Sequence, residues 1–352
     1  MLRTLAVTVS LLAACGGADA RDDGEVGSGI ASLSTTTSGN AEESTTGDRL
    51  DLGGIGDVPS GPLRCEKVDL VFVVDNSASM FDEQQSLLQS FPSFIGEVEQ
   101  VLGSDDYQVL VIDTDVGTWA GCYEAMYGSF DCGLWCGSAN CPSGCDCECN
   151  SEPCEPFVSS TCEGALGSGR IVSGDGSSCG LAGRRYITGA DADPSAEFQC
   201  AALVGIAGEP NERPMQALVE AVGPLAAADG CNAGFLRDDA ILVVVVITDE
   251  EDQASFGDPA DWYQAVVDAK LGNPTAVVVL GLLGDPDVPD GVCGPFDPVD
   301  NSGAIASLRV REWVESFPSG DWASVCNADY APFFQAAISV IDEVCEDFVP
   351  PG

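Results

Sequence analysis

The chain has no histidine and only two lysines, Lys67 and Lys270, in 352 residues. Without histidine the commonest general base is missing, and with it the Ser-His-Asp and Cys-His arrangements of hydrolases. No glycine-rich loop ending in a lysine is present to cradle phosphate. Basic residues number 13 against 57 acidic ones, a formal net charge of −44. That balance argues against nucleic acid, because neutralising phosphates requires a basic face. Anionic membrane surfaces would repel the protein as well. The acid excess fits a strongly solvated surface, and it equally fits attraction of divalent cations. Beyond the first residues no apolar run is long enough for a membrane helix; Ile241 to Ile247 has the length of a strand. Hydrophobic residues still make up 45% of the chain, enough for one large domain or two modest ones.

Arg3 precedes an apolar run from Leu5 to Ala14, broken only by Thr8 and Ser10. It is too short to span a bilayer and has the shape of a secretory signal. The run ends in Leu12-Ala13-Ala14-Cys15, which resembles the bacterial lipobox. The resemblance implies that residues 1–15 hold a lipoprotein signal peptide and that Cys15 is acylated, anchoring the protein to a membrane without spanning it. An ordinary signal peptide with a chance cysteine is the alternative. Gly16 and Gly17 follow, without the aspartate that resembles an inner-membrane retention signal, so the outer membrane or cell surface is expected over the periplasmic inner membrane. Residues 16–62 are rich in Gly, Ser, Thr and acids and poor in large apolar side chains, the composition of a disordered tether.

Setting Cys15 aside, 16 of the 17 cysteines remain, an even number that suits a disulfide framework in an oxidising compartment. Zinc is the competing reading, because Cys145, Cys147 and Cys149 are closely spaced. Ten cysteines lie between Cys122 and Cys179, in a stretch with almost no apolar periodicity. A segment without a core of its own must be stapled, so residues 117–183 read as a disulfide-rich insertion, able to close on itself in five bridges. Of the remaining cysteines, Cys65 with Cys345 would tie the domain's ends, and Cys200 with Cys231 and Cys293 with Cys326 are the next pairings expected.

Residues 63–348, apart from that insertion, alternate strand and helix patterns. Asp69 to Val74, Tyr107 to Ile112, Ile241 to Thr248 and Thr275 to Leu282 are short runs of β-formers, too continuous for one-sided surface strands. Helical spacing appears from Leu87 to Leu102 behind Asp82 and Glu83, and again over Arg213–Ala228, Pro259–Leu271, Gly303–Phe317 and Tyr330–Cys345. The alternation predicts an α/β fold, a doubly wound and mainly parallel sheet with helices on both faces.

The first strand runs into Asp75-Asn76-Ser77-Ala78-Ser79, and the strongest strand ends in Ile247-Thr248-Asp249. Both aspartates therefore fall at carboxyl ends of parallel strands, where open α/β sheets place their ligands. A set of oxygens alone suits Mg²⁺ or Ca²⁺. A hydrophobic strand followed by Asp-x-Ser-x-Ser resembles the first motif of the von Willebrand factor A (VWA) family, and Thr248-Asp249 resembles its later half. The resemblance implies a metal-ion-dependent adhesion site in which Ser77 and Ser79 are direct ligands and Asp75 and Asp249 act close to the metal or through water. It also implies a threonine on a middle loop; counting back from Ala217-Leu218 puts Glu212 there instead. A third carboxylate would lower the ion's electrophilicity. Glu212 either closes the site as a ligand or points outward, as acids at helix starts often do. The layout of signal, tether, A-type domain and Cys-rich insertion is similar to surface lipoproteins of myxobacteria, a likeness that carries no activity with it.

The expected function is a metal-dependent module that binds protein or polysaccharide on a membrane-anchored lipoprotein. Two alternatives stand beside it. In one the metal is structural and the Cys-rich insertion is the recognition surface. In the other, the strand ending Asp113-Thr114-Asp115 resembles the nucleophile loop of haloacid dehalogenase-type phosphohydrolases, with Asp113 attacking phosphorus and Asp115 as acid/base beside Mg²⁺. That chemistry needs a basic residue near the phosphate, and the acidic field opposes a phosphorylated substrate.

Overall fold

The computed structural model describes residues 65–115, 161–206, 208, 212–299 and 301–351. The expected signal, lipobox and tether, and residues 117–160 of the expected insertion, lie outside them. Six strands form one sheet: β1 (Val68–Val74), β2 (Tyr107–Asp113), β3 (Ile187–Thr188), β4 (Ile241–Thr248), β5 (Val277–Leu283) and β6 (Gly320–Ser324). Their spatial order is β3-β2-β1-β4-β5-β6, with every pairing parallel except that of β3 with β2. The α/β sheet with helices on both faces is as expected.

All eight residues of β4 and all seven of β1 are buried, the consequence of β-branched and apolar runs with no polar side to present to water, interrupted in β1 only by Asp69. Alternate residues serve two cores. Leu70, Phe72 and Val74 face helices α1 (Phe81–Leu102), α2 (Pro194–Ala202) and α6 (Ala331–Asp347). Val71 and Val73 face α3 (Pro214–Val222), α4 (Pro259–Ala269) and α5 (Leu308–Glu315). Phe72 meets Phe91, Phe94 and Phe198 edge-on at centroid distances of 5.8, 6.4 and 4.9 Å, arrangements favoured by the ring quadrupole. Helix α1 continues through Pro92 and ends at Gly103, whose left-handed φ of 67° lets its N–H bond to the Glu99 carbonyl.

Both lysines sit at the amino end of the sheet. Lys270 donates to the Arg237 carbonyl (2.6 Å), Lys67 pairs with Asp239, and Arg237 clasps the fully buried Asp69 through its backbone N–H and its Nε, each at 2.7 Å. The sheet's order reverses between β1 and β4: the chain leaves β1 towards β2 and β3, then crosses back to β4 on the other side. Such a switch point opens a crevice at the carboxyl ends of the strands.

Four disulfides are present among the described residues. Cys65–Cys345 and Cys293–Cys326 form as expected. Cys162 instead pairs with Cys231, and Cys179 with Cys200, so Cys200 and Cys231 do not pair with each other and the ten cysteines from Cys122 to Cys179 do not close among themselves. The physical reason lies in residues 161–183, which return to the domain. Leu166 enters the core under α3, and the Arg170 N–H bonds the Val111 carbonyl (2.8 Å).

Cys65–Cys345 bridges 280 positions, and the Cys65 N–H also bonds the Cys345 carbonyl (2.9 Å). Replacing both cysteines by alanine should lower unfolding stability by about 2–5 kcal/mol, chiefly by freeing the unfolded chain. Urea denaturation of the two proteins measures this directly.

Candidate metal centre

The crevice at the switch point is built on Asp75. Its backbone N–H continues the ladder to the Ile247 carbonyl (3.0 Å). Its Oδ1 accepts the Ser77 N–H (2.7 Å), folding the chain into a tight turn, and its Oδ2 accepts the Thr248 hydroxyl (2.6 Å) from the neighbouring strand. Asp75 is thus a brace between the two halves of the motif. The turn brings the Ser77 and Ser79 hydroxyl oxygens to 3.3 Å from each other. Gln84, buried on the first turns of α1, holds the turn from behind, donating to the carbonyls of Asp75 (3.1 Å) and Gly205 (2.7 Å).

Asp249 follows Thr248 and is 1% exposed. Neither of its carboxylate oxygens has a hydrogen-bond partner of good geometry. Burial foremost, then the charges of Asp75 and Glu250, push its pKa up to about 8, with the Ser79 hydroxyl opposing the rise. Burial also raises Asp75, against the Thr248 and Ser77 bonds that favour its charged form. Glu250 is pushed up to about 7 by burial and then by Asp75. Glu83 also reaches about 7, through burial and the neighbouring Asp82 and Asp75.

Glu212 is buried just before α3. Its Oε2 accepts a hydrogen bond from the Thr114 hydroxyl, while Oε1 is buried without a partner. Burial, then the charges of Asp75 and Asp115, hold its carboxyl well above the usual range. Thr114 continues β2, beside the Val74↔Asp113 pair, and its hydroxyl also lies 3.1 Å from Asn76 Oδ1. Gly208 donates to the Asn76 carbonyl (2.9 Å), and a Cβ there would stand 2.2 Å from Asn76 Oδ1, so only glycine lets this loop approach.

The structure therefore gathers Asp75, Ser77, Ser79 and Asp249 around one crevice, with Glu212 close enough for its charge and that of Asp75 to repel. None of Glu83, Asp75, Glu212, Asp249 or Glu250 has a salt-bridge partner among the described residues. Sequence reasoning missed Gln84, Thr114, Asn76 and Gly208. Thr114 lay in plain view between Asp113 and Asp115, but its relation to Glu212 depends on β2 lying beside β1. Asp113 itself is ion-paired with Arg170 in a cavity of about 20 Å³, and Asp115 is buried near Glu212.

No family model matches the chain, and no curated protein matches it. Among solved structures it is similar to an aerotolerance-related membrane protein from Bacteroides fragilis, crystallised with multiple mutations to serines. The identity is 15% over 78% of this chain and 99% of that one, with a TM-score of 0.34. A likeness this slight says nothing about function.

Valine at Thr248 keeps the shape but leaves Asp75 Oδ2 buried and unbonded. Thr248→Val should cost about 1–3 kcal/mol, read from the shift of its denaturation midpoint at constant slope.

Proposed function

We propose that the crevice binds a divalent cation, Mg²⁺ or Ca²⁺, and that the loaded face is a docking surface for a protein partner. The observation that carries this reading is Asp249: a buried carboxylate with both oxygens unbonded and no salt-bridge partner among the described residues. Buried polar groups are ordinarily satisfied, and an orphan of this kind calls for a missing ion or water. The donor set fits a hard cation: two carboxylates and the Ser77 and Ser79 hydroxyls, with no sulfur. No three carboxylate or thiol groups among the described residues gather closely enough to hold an ion by themselves. An ion here would rely on the hydroxyls that the Asp75 turn presents. When bound, the cation would neutralise the crevice and attract an acidic group of the partner. Glu212, drawn aside by Thr114, would temper that attraction through its charge. The VWA resemblance of the first motif agrees with this assignment.

Protein is favoured over polysaccharide by the rim. Six of the eight large hydrophobics exposed among the described residues, Phe81, Phe256, Val292, Val299, Ile305 and Leu308, lie on connections leaving the carboxyl ends of strands or on the first residue of the helix that follows. Exposed apolar side chains at the same end of the sheet as a polar centre are the pattern of a protein interface. Two hydrogen bonds fix this rim to the site: the Ile305 N–H to the Asp249 carbonyl (2.8 Å), and the Ser307 hydroxyl to the Glu250 carbonyl (2.8 Å).

A phosphohydrolase centred on Asp113 is the weaker reading. Arg170 occupies one carboxylate oxygen, and the adjoining space admits about one water molecule. Four disulfides agree with an oxidising compartment. Together with the expected signal and Cys15 anchor, they support display at the outer membrane or cell surface.

Asp249→Asn separates the two states of the site. Above about pH 8, where Asp249 is ionised, removing its repelling charge should stabilise the protein in chelator, yet abolish the rise in melting temperature that Mg²⁺ or Ca²⁺ gives the wild type. For the wild type that rise corresponds to about 2.7 kcal/mol at a hundredfold excess over Kd. Equal stabilisation of both proteins by either cation would refute the assignment.

A further inference from the structure

Beside Ser79 opens a cavity of about 390 Å³, between the first turns of α1 and the connections that follow β5 and β6. Its size is that of a ligand pocket. Three donors in its wall are already spent on the chain's own carbonyls. The Tyr330 hydroxyl bonds Val325 (2.6 Å), the Asn327 amide bonds Ser324 (3.0 Å), and the Ser86 hydroxyl lies 3.4 Å from Ala328. Acceptors remain: Glu83 Oε2 is buried without a partner, and the Asp82 carboxylate is exposed. Among the described residues no lysine or arginine lines the space. An occupant that satisfies the two carboxylates brings hydrogen-bond donors and positive charge. A compact metal ion is a poor fit, because the described wall offers two carboxylates and no group of three acidic or thiol side chains to surround it. A forked, planar cation on a flexible stem can address both carboxylates.

From this we infer that the cavity receives an arginine side chain of the protein partner, next to the metal centre. The inference rests on the reading of this face as a docking surface, and it names the partner's chemistry: a basic residue adjacent to the group that meets the ion. The net charge of −44 would speed the encounter with such a partner.

The probe is the capped tripeptide acetyl-Gly-Arg-Gly-amide, compared with its citrulline analogue, which keeps the shape and loses the charge. Both are titrated by calorimetry into the full chain saturated with Mg²⁺ at about 0.15 M salt, where exposed charges are screened beyond about 8 Å. The arginine peptide should bind at least tenfold more tightly than the citrulline one. Glu83→Gln and, independently, the exposed Asp82→Asn should each erase most of that preference, and Asp82→Asn should leave the Mg²⁺-dependent melting rise intact. Glu343→Gln, an exposed charge removed from α6, should leave the preference unchanged. Equal binding of the two peptides, or a preference that survives Glu83→Gln and Asp82→Asn, would overturn the inference. So would an equal loss in Glu343→Gln, which would mark the attraction as diffuse. Should Mg²⁺ fail to stabilise the wild type while the arginine preference holds, the metal assignment falls and the pocket stands.

Discussion

Buried negative charge without a matching cation is the constraint around which this domain is arranged. At the amino end of the sheet the buried Asp69 is answered by Arg237, with both lysines close by. At the carboxyl end Asp75, Asp249 and Glu212 are buried together with no such answer among the described residues. Keeping them there costs folding free energy, since desolvation and mutual repulsion act in the same direction. On the proposed reading, a bound cation would relieve that cost. Arg170, Arg309 and Arg311 answer other groups near the carboxyl ends of the strands, and none of them pairs with Asp75, Asp249 or Glu212.

The braces around Asp75 decide how that want is presented. Because Thr248 and the Ser77 N–H occupy its two oxygens, Asp75 shapes the turn and the neighbouring hydroxyls face the crevice. Gln84, Asn76 and Gly208 then fix the turn against the loop before α3. The turn is held by the chain's own hydrogen bonds, which would limit the reorganisation that binding of the proposed ion requires.

Most of the sheet was legible in the sequence for one reason: β1, β2, β4 and β5 are continuous apolar runs, and only a strand buried on both faces produces them. The edges were not. β6 reads Gly-Asp-Trp-Ala-Ser, half exposed and patterned like a loop, and β3 has only two residues. Helix α2 is a short Ala- and Ser-containing stretch whose Phe198 gives little periodicity. Helix α3 stops at Val222 because Gly223-Pro224 follows, earlier than the apolar pattern suggested. At the centre, the Asp75–Ser79 turn and Asp249 could be read from residue type and strand-end position alone. Thr114 and Gln84 could not, because their roles come from strand adjacency across the switch point. The disulfides divide in the same way. Cys65–Cys345 follows from the chain's two ends meeting, whereas Cys162–Cys231 depends on a return path that composition does not reveal.

The disulfide between Cys65 and Cys345 also sets how the domain bears load. A pull applied at Cys65, against a hold at the Asp75 turn, would run along the axis of β1. That strand is bonded on both sides, to β2 and to β4, over seven residue pairs each. Force along its axis shears all of these bonds together and does not peel them one at a time. The covalent link shares the load with α6 on the outer layer. A central strand that carries the Asp75 turn at one end and a cross-linked residue just before the other is a tension member.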